Sequence, residues 1–172
     1  MDHATRSGAS WTKVLPDTAR LRHIVYELSR EHVQLPRPLT RLADAGIALA
    51  ANPASLDART HAHEAWMEML QIIDLPFAHR ADVELLESAE RLRLVPDVVA
   101  RGMLDACSKL RDLESRISQA DFHQSPAELM ARTGEAMREL AATLDDLALR
   151  EDRELLPRVQ RLLYQHGVAL KR

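Results

Sequence analysis

Glu151 is a carboxylate at a helical position that should be apolar, and such a buried acid could support chemistry. It lies in a series of apolar residues spaced three and four apart, a pattern that places its side chain on the core face of a helix. The series comprises Met137, Leu140, Leu144, Leu147, Glu151 and Leu155. Because a buried carboxylate needs a partner, the sequence predicts a second polar group beside Glu151.

His32 is the best-placed partner for Glu151. It belongs to the apolar face of the first predicted helix, which comprises Leu21, Val25, Leu28, His32, Leu35, Leu39, Leu42 and Leu49. An imidazole can donate a hydrogen bond to a buried carboxylate or form an ion pair with it. We therefore predict that the two side chains approach each other in the interior, directly or through one water. The alternative is that kinks at Pro36 or Pro76 turn one of them toward solvent.

Part of the chain is repeated after 70 residues. Residues 77–92 read FAHRADVELLESAERL and residues 147–162 read LALREDRELLPRVQRL, so 8 of 16 positions are identical. In a chain of this composition, roughly a tenth of the aligned positions would be identical by chance. We predict an internal duplication and an all-α fold: two helical hairpins, with Pro-kinked helices, packed as an up-down four-helix bundle with pseudo-two-fold symmetry. Similarity through composition alone is the alternative.

Proline and capping residues predict the helix boundaries in the first half of the chain. Asp17 can cap the first helix, and Pro36 and Pro38 predict a kink or break before the helix resumes to about Ala51. Ser55 is the predicted N-cap of the second helix.

Similar signals divide the second half. Pro76 predicts a kink in the second helix, which continues to about Leu92, and Val95-Pro96-Asp97 begins the third. Ser125-Pro126-Ala127-Glu128 combines an N-cap Ser, a Pro at the first helical position and a Glu two positions later, which predicts the start of the fourth helix. Pro157 predicts a kink or an end in that helix.

Composition indicates one domain and limits its partners. A chain of 172 residues is long enough for one domain with a core of its own. We predict a loose arm over 1–15, a bundle over 16–167 and a tail over 168–172. A net charge of -3 without a basic cluster argues against a nucleic-acid partner, and no apolar run approaches membrane-spanning length. Cys107, the one cysteine, allows no intrachain disulfide and is expected to be a buried inert thiol. We expect a cytoplasmic protein.

The fourth helix resembles the hemerythrin-like (HHE) family. The segment 151–157, Glu-Asp-Arg-Glu-Leu-Leu-Pro, is similar to the latter part of that family's His-x-x-x-Glu motif, and Arg30-Glu31-His32 resembles its first-helix Glu-His or Asp-His. The resemblance implies a bundle that holds a non-haem iron pair. Such proteins bind, sense or store oxygen, or respond to nitric oxide and iron.

Most of the family's ligand positions hold other residues here. The resemblance carries ligand roles onto His32 and Glu151, whereas the other motif positions fall on Phe77, Ala81 and Leu147, and the third-helix position near Gly102 offers no ligand. Two of six expected ligands cannot hold two irons. The resemblance thus implies a degenerate di-iron site and a vestigial pocket; its residues are His32, Phe77, Ala81, Leu147 and Glu151.

Three functional hypotheses remain open from the sequence. The first is a binding, regulatory or interaction module with no cofactor, whose partner is an unknown protein or small molecule; a homodimer is also possible. The second is a non-haem iron protein for oxygen, nitric oxide or redox sensing, with metal ligands His32 and Glu151 plus His61 or His63. The third is a small enzyme that uses Glu151. Trp66, Met67 and Met69 are expected in the core rather than at a cofactor.

Overall fold

The computed structural model describes residues 18–72 and 75–165, without the side chains of 75–80. Its α-helices are α1 (Thr18–Gln34), α2 (Pro36–Ala51), α3 (Leu56–Ile72), α4 (Leu75–Arg91), α5 (Asp97–Ser118), α6 (Ala127–Arg150) and α7 (Leu156–Gln165). A π-helical turn, Glu151–Leu155, joins α6 to α7. The described residues contain no strand, so the all-α prediction is confirmed. The predicted arm and tail, and Asp17, lie outside the described residues.

The helices pack side by side around one apolar core. Helix α2 packs against α3 and α6, α5 packs against α4 and α6, and α1 contacts α2, α4 and α7. The largest fully buried side chains come from all of these helices except α7; they include Leu21, Leu42, Met69, Leu85, Met103 and Met137. Met67 is 44% exposed, so its predicted core position is wrong; it lies on the outer face of α3, whereas Trp66 and Met69 are buried. No described helix has the length and apolar content needed to cross a membrane.

Two glycines bring the backbones of α2 and α6 together. A Cβ added to Gly46 would lie 2.6 Å from the carbonyl oxygen of Gly134, and one added to Gly134 would lie 2.5 Å from the carbonyl oxygen of Gly46. Since no side chain fits in this space, glycine is required at both positions for the observed approach. This contact fixes how α2 lies along α6.

The predicted break near Pro36 and Pro38 is confirmed, and it is short. Helix α1 ends at Gln34 and α2 begins at Pro36, because neither proline has an N–H to donate to the preceding turn. Leu35 keeps helical dihedral angles, and its N–H donates to the carbonyl of Glu31 at 3.1 Å. The chain therefore stays helical across the break, and the His32 side chain stays inside.

Pro157 is predicted to kink or end the fourth helix, and the structure has a π-helical turn just before it. It cannot donate to the carbonyl of Arg153, and the turn just before it is π-helical, with the N–H of Leu156 donating to the carbonyl of Glu151. The chain then continues as α7. The π-helical turn falls on Glu151, the residue that the sequence placed in the core.

One capping prediction is confirmed and another is wrong. The hydroxyl of Ser55 accepts the N–H of Ala58 at 3.3 Å, as an N-cap should. Ser125 does not cap α6, since Pro126 occupies the cap position in an extended conformation. The Ser125 hydroxyl instead accepts the N–H of Asp121 at 3.1 Å, so it stabilises the preceding loop.

Candidate functional site

His32 lies between two carboxylates. Its Nε2 is 3.1 Å from Oε2 of Glu151, and its Nδ1 is 2.8 Å from Oδ1 of Asp152. The contact predicted between His32 and Glu151 is therefore present and direct. Asp152 is an additional partner that the sequence did not indicate.

The three side chains differ in their access to solvent. The side chain of Glu151 is 2% exposed and that of His32 is 8% exposed, whereas Asp152 is 51% exposed. They therefore form a line from the core to the surface. One ring nitrogen of His32 faces the buried carboxylate and the other faces the exposed one.

Two consecutive residues of the π-helical turn contact one ring, Glu151 at Nε2 and Asp152 at Nδ1. A π-helical turn has more residues per turn than an α-helix, so neighbouring side chains diverge slightly less around its axis. The two carboxylates thus approach His32 from the same turn, which directly precedes Pro157.

Two more carboxylates are buried near this pair, Glu31 on α1 and Asp82 on α4. Burial raises the pKa of Asp82 well above its ordinary value, and the charges of Glu151 and Glu31 raise it further. Oδ1 of Asp82 and Oε1 of Glu151 are buried without a hydrogen-bond partner. We call Glu31, His32, Asp82 and Glu151 the interior acid cluster.

His32, Asp82 and Glu151 hold protons more tightly than the same groups in water. Burial raises the pKa of Glu151, although its hydrogen bond to His32 and the charge of His32 act in the opposite direction. Burial lowers the pKa of His32, but the hydrogen bonds and charges of Glu151 and Asp152 outweigh this, so the pKa is raised. Because the cluster contains several carboxylic acids and one imidazole, uptake of a proton relieves both its charge repulsion and its desolvation cost.

Cys107 on α5 is close enough to the cluster to respond to its charges. Burial raises the pKa of the Cys107 thiol, and the charges of Asp82 and Glu151 raise it further. The side chain is buried and free. The predicted burial of Cys107 is confirmed, and a thiol whose pKa is raised stays protonated near neutral pH.

The apolar part of the predicted vestigial pocket is only partly described. Ala81 and Leu147 are buried apolar side chains. The side chain of Phe77 lies outside the described residues. At Gly102 an added Cβ would meet Nη1 of Arg150 at 3.8 Å, so this position is near α6 and carries no donor.

His61 and His63 lie in a different environment from His32. His61 is exposed, and the ring of His63 stacks on Phe122 at 5.3 Å and contacts His123 edge-on at 5.6 Å. Among the residues that the structure describes, no three or more His, Cys, Asp or Glu side chains form a group that could hold a metal ion. The metal-ligand set predicted from His32, Glu151, His61 and His63 is thus not assembled here.

The sequence did not identify two members of the cluster, Glu31 and Asp82. Glu31 also fits the spacing of the apolar face of α1, three residues after Leu28 and four before Leu35. Asp82 precedes Leu85 by three residues, and it matches Asp152 in the repeat. A search for every carboxylate at an apolar register, rather than for one partner of Glu151, would have found both.

Comparison of the chain with protein-family models, with curated proteins and with solved structures gave no match.

Proposed function

We propose that this protein is a hemerythrin-like bundle that has lost its di-iron ligands and now acts as a regulatory binding module. The direct contact of His32 with Glu151 in the core carries this proposal. Under the resemblance, these two positions keep a ligand residue. Nε2 of His32 lies 3.1 Å from Oε2 of Glu151. Leu147 precedes Glu151 by four residues, at a position where the family carries a ligand His. Its side chain is buried and supplies only apolar volume.

The helix contacts support an up-down four-helix bundle. The described helices fall into four consecutive segments: α1 with α2, α3 with α4, α5 alone, and α6 with the π-helical turn and α7. The contacts of α2 with α3 and α6, and of α5 with α4 and α6, fit a bundle in which each segment has two neighbours. In this arrangement the interior acid cluster lies where helices from three segments meet.

The donors present do not fit the iron pair that the resemblance implies. Both ring nitrogens of His32 already have carboxylate partners, and Glu151 and Asp82 each offer one unpartnered oxygen. Two iron ions need more nitrogen and oxygen donors than these in fixed positions. The site therefore suits a binding or regulatory role better than an iron-dependent oxygen or redox reaction.

Restoring the family's ligands tests the proposal. Wild-type protein purified without a His tag should contain iron well below stoichiometric amounts, and a chelator should leave its melting temperature unchanged. A variant with Phe77→His, Ala81→Glu and Leu147→His should bind iron more tightly than wild type if the register of the resemblance is right. Leu149→His, which adds an imidazole at an exposed position of the same helix, is the matched control.

Two results would contradict the proposal. Stoichiometric iron in the wild type, with a near-ultraviolet oxo-to-iron band, would show that the site still binds metal. Iron uptake by the restored variant no greater than by the Leu149→His control would show that the hemerythrin-like register is wrong.

A further inference from the structure

The turn after α4 has an arginine in a backbone conformation that favours glycine. The N–H of Leu94 donates to the carbonyl of Ala89 at 2.8 Å, and the N–H of Arg93 donates to the carbonyl of Glu90 at 2.9 Å. This pair of hydrogen bonds ends a helix around one left-handed residue, which is usually glycine. Here that residue is Arg93, with a φ of 53°, and no other non-glycine residue among those described has a positive φ.

The Arg93 side chain does not stabilise the turn that it strains. A left-handed conformation is unfavourable for a residue with a Cβ, and such strain is often found where a side chain has a function. The side chain is exposed, and it has no hydrogen bond or ion pair with any residue that the structure describes. The strain at Arg93 therefore indicates that its guanidinium group acts on something other than the described fold.

Three more exposed arginines lie beside Arg93. Arg158 of α7 donates from Nη1 to the carbonyl oxygen of Leu94 at 3.0 Å, so α7 lies against this turn. Arg161 follows Arg158 by three residues and shares its face of α7, and Arg91 is the last residue of α4. None of the four has an ion pair with a described residue. We call Arg91, Arg93, Arg158 and Arg161 the arginine corner.

We propose that the arginine corner is a docking surface for an acidic segment of a partner protein. Guanidinium groups bind carboxylates through paired N–H donors, and all four cations of the corner are arginines rather than lysines. The inference goes beyond the proposed function, because it concerns a different surface from the interior acid cluster. It also does not depend on the hemerythrin-like assignment.

The distribution of charge favours an acidic peptide over other anionic partners. Glu90 and Asp97 flank the turn and interrupt its positive charge, so the corner presents separate guanidinium donors rather than a broad positive field. The net charge of -3 on the chain repels an extended polyanion, such as a nucleic acid or an anionic membrane, at long range. A short acidic segment interacts mainly with charges within about 10 Å, where the four arginines dominate.

The two ends of the sequence that lie outside the described residues do not provide such a segment. Residues 1–17 contain two acids, Asp2 and Asp17, and two bases. Residues 166–172 contain Lys171 and Arg172 and no acid. Since neither end contains a run of carboxylates, a partner protein fits the arginine corner better than either end of this sequence does.

Fluorescence anisotropy with a labelled octaglutamate peptide and the full chain at about 0.05 M salt tests the proposal. Wild type should bind this peptide and should not bind octaglutamine. Arg93→Gly should weaken binding about two- to fivefold, the range for an exposed ion pair, and Arg158→Gln with Arg161→Gln should weaken it by about fivefold or more. Arg93→Gly should also raise the melting temperature by about 2 °C or more, because glycine adopts the left-handed conformation without strain.

Arg111→Gln is the matched control. It removes an exposed arginine from the outer face of α5, alters the net charge by the same amount, and should leave the affinity for octaglutamate unchanged. Equal losses of affinity in Arg111→Gln and Arg93→Gly would overturn the proposal, and so would a failure of wild type to bind octaglutamate. A lower melting temperature in Arg93→Gly would show that the side chain stabilises the fold, which contradicts the argument from strain.

The other possible occupants of the arginine corner have distinct signatures. Tighter binding of phosphatidylserine vesicles or of a DNA duplex than of octaglutamate, at the same salt concentration, would assign the corner to a membrane or to nucleic acid and overturn the proposal. A wild-type dimer that Arg93→Gly dissociates would assign it to a second copy of the chain. These results are independent of iron uptake by the ligand-restored variant, so failure of this inference and failure of the proposed function are distinguishable.

Discussion

Asp82→Asn should stabilise the protein, and increasingly so as the pH rises. The side chain is 4% exposed, and its Oδ1 has no partner. Because burial and then the charges of Glu151 and Glu31 raise its pKa, the folded state binds a proton more tightly than the unfolded state does. Stability associated with that proton is complete below the ordinary carboxyl pKa and is lost as the pH rises through the folded pKa.

The magnitude follows from removing a buried negative charge. A buried polar group without a partner costs about 1–3 kcal/mol, and more when it is charged, so the neutral amide should gain roughly that amount at about pH 8. For a chain of this size, 1 kcal/mol corresponds to about 2–4 °C in melting temperature. Near pH 4 the wild-type acid is neutral and the two proteins should differ little.

Denaturant unfolding followed by circular dichroism at several pH values measures this difference. Glu87→Gln, an exposed carboxylate on the same helix, is the control and should change the free energy of unfolding by less than about 0.5 kcal/mol. A gain in Asp82→Asn that is equal at pH 5 and pH 8 would refute the argument from buried charge. Destabilisation at both pH values would show that Asp82 makes a favourable contact instead.

The remaining predictions concern packing, the ion pair and the thiol. Gly134→Ala should lower the free energy of unfolding by about 1–3 kcal/mol or more, because its Cβ would meet the backbone of α2 at 2.5 Å. Gly102→Ala, whose nearest contact is at 3.8 Å, should be neutral or stabilising. Equal losses of stability in the two variants would contradict this reasoning. His32→Ala should cost about 3–5 kcal/mol near neutral pH by leaving Glu151 buried and alone, and less in acid, where that carboxyl is protonated. Cys107 should react with a thiol reagent only after unfolding, and rapid labelling of the native protein would contradict its burial.

The sequence predicted the central contact because apolar periodicity and polarity disagreed at only a few positions. Glu151 and His32 each interrupt a regular series of leucines, and a buried carboxylate requires a partner. The break at Pro36 followed just as directly from the missing backbone donor. Both inferences start from geometry within one helix: the face on which a residue lies, and the backbone donor that a proline lacks.

What the sequence did not predict depends on more than one helix or on exact helical register. Asp152 contacts His32 from the π-helical turn before Pro157, and a change from an i−4 to an i−5 hydrogen bond leaves no sequence signal of its own. Asp82 is buried because α4 packs on α5 and its side chain faces the cluster. Ser125 fits a helix cap and a loop acceptor equally well until the loop conformation is known.

The charges of the interior acid cluster account for the direction of these pH effects. Burial raises the pKa of Asp82 and of Glu151, and the charge of Glu151 raises the pKa of Asp82 further. His32 contacts Glu151 at 3.1 Å and lowers the pKa of that carboxyl against the effect of burial. Removing the charge of Asp82 should therefore stabilise the fold more as the pH rises, whereas removing His32 should destabilise it most where Glu151 is ionised.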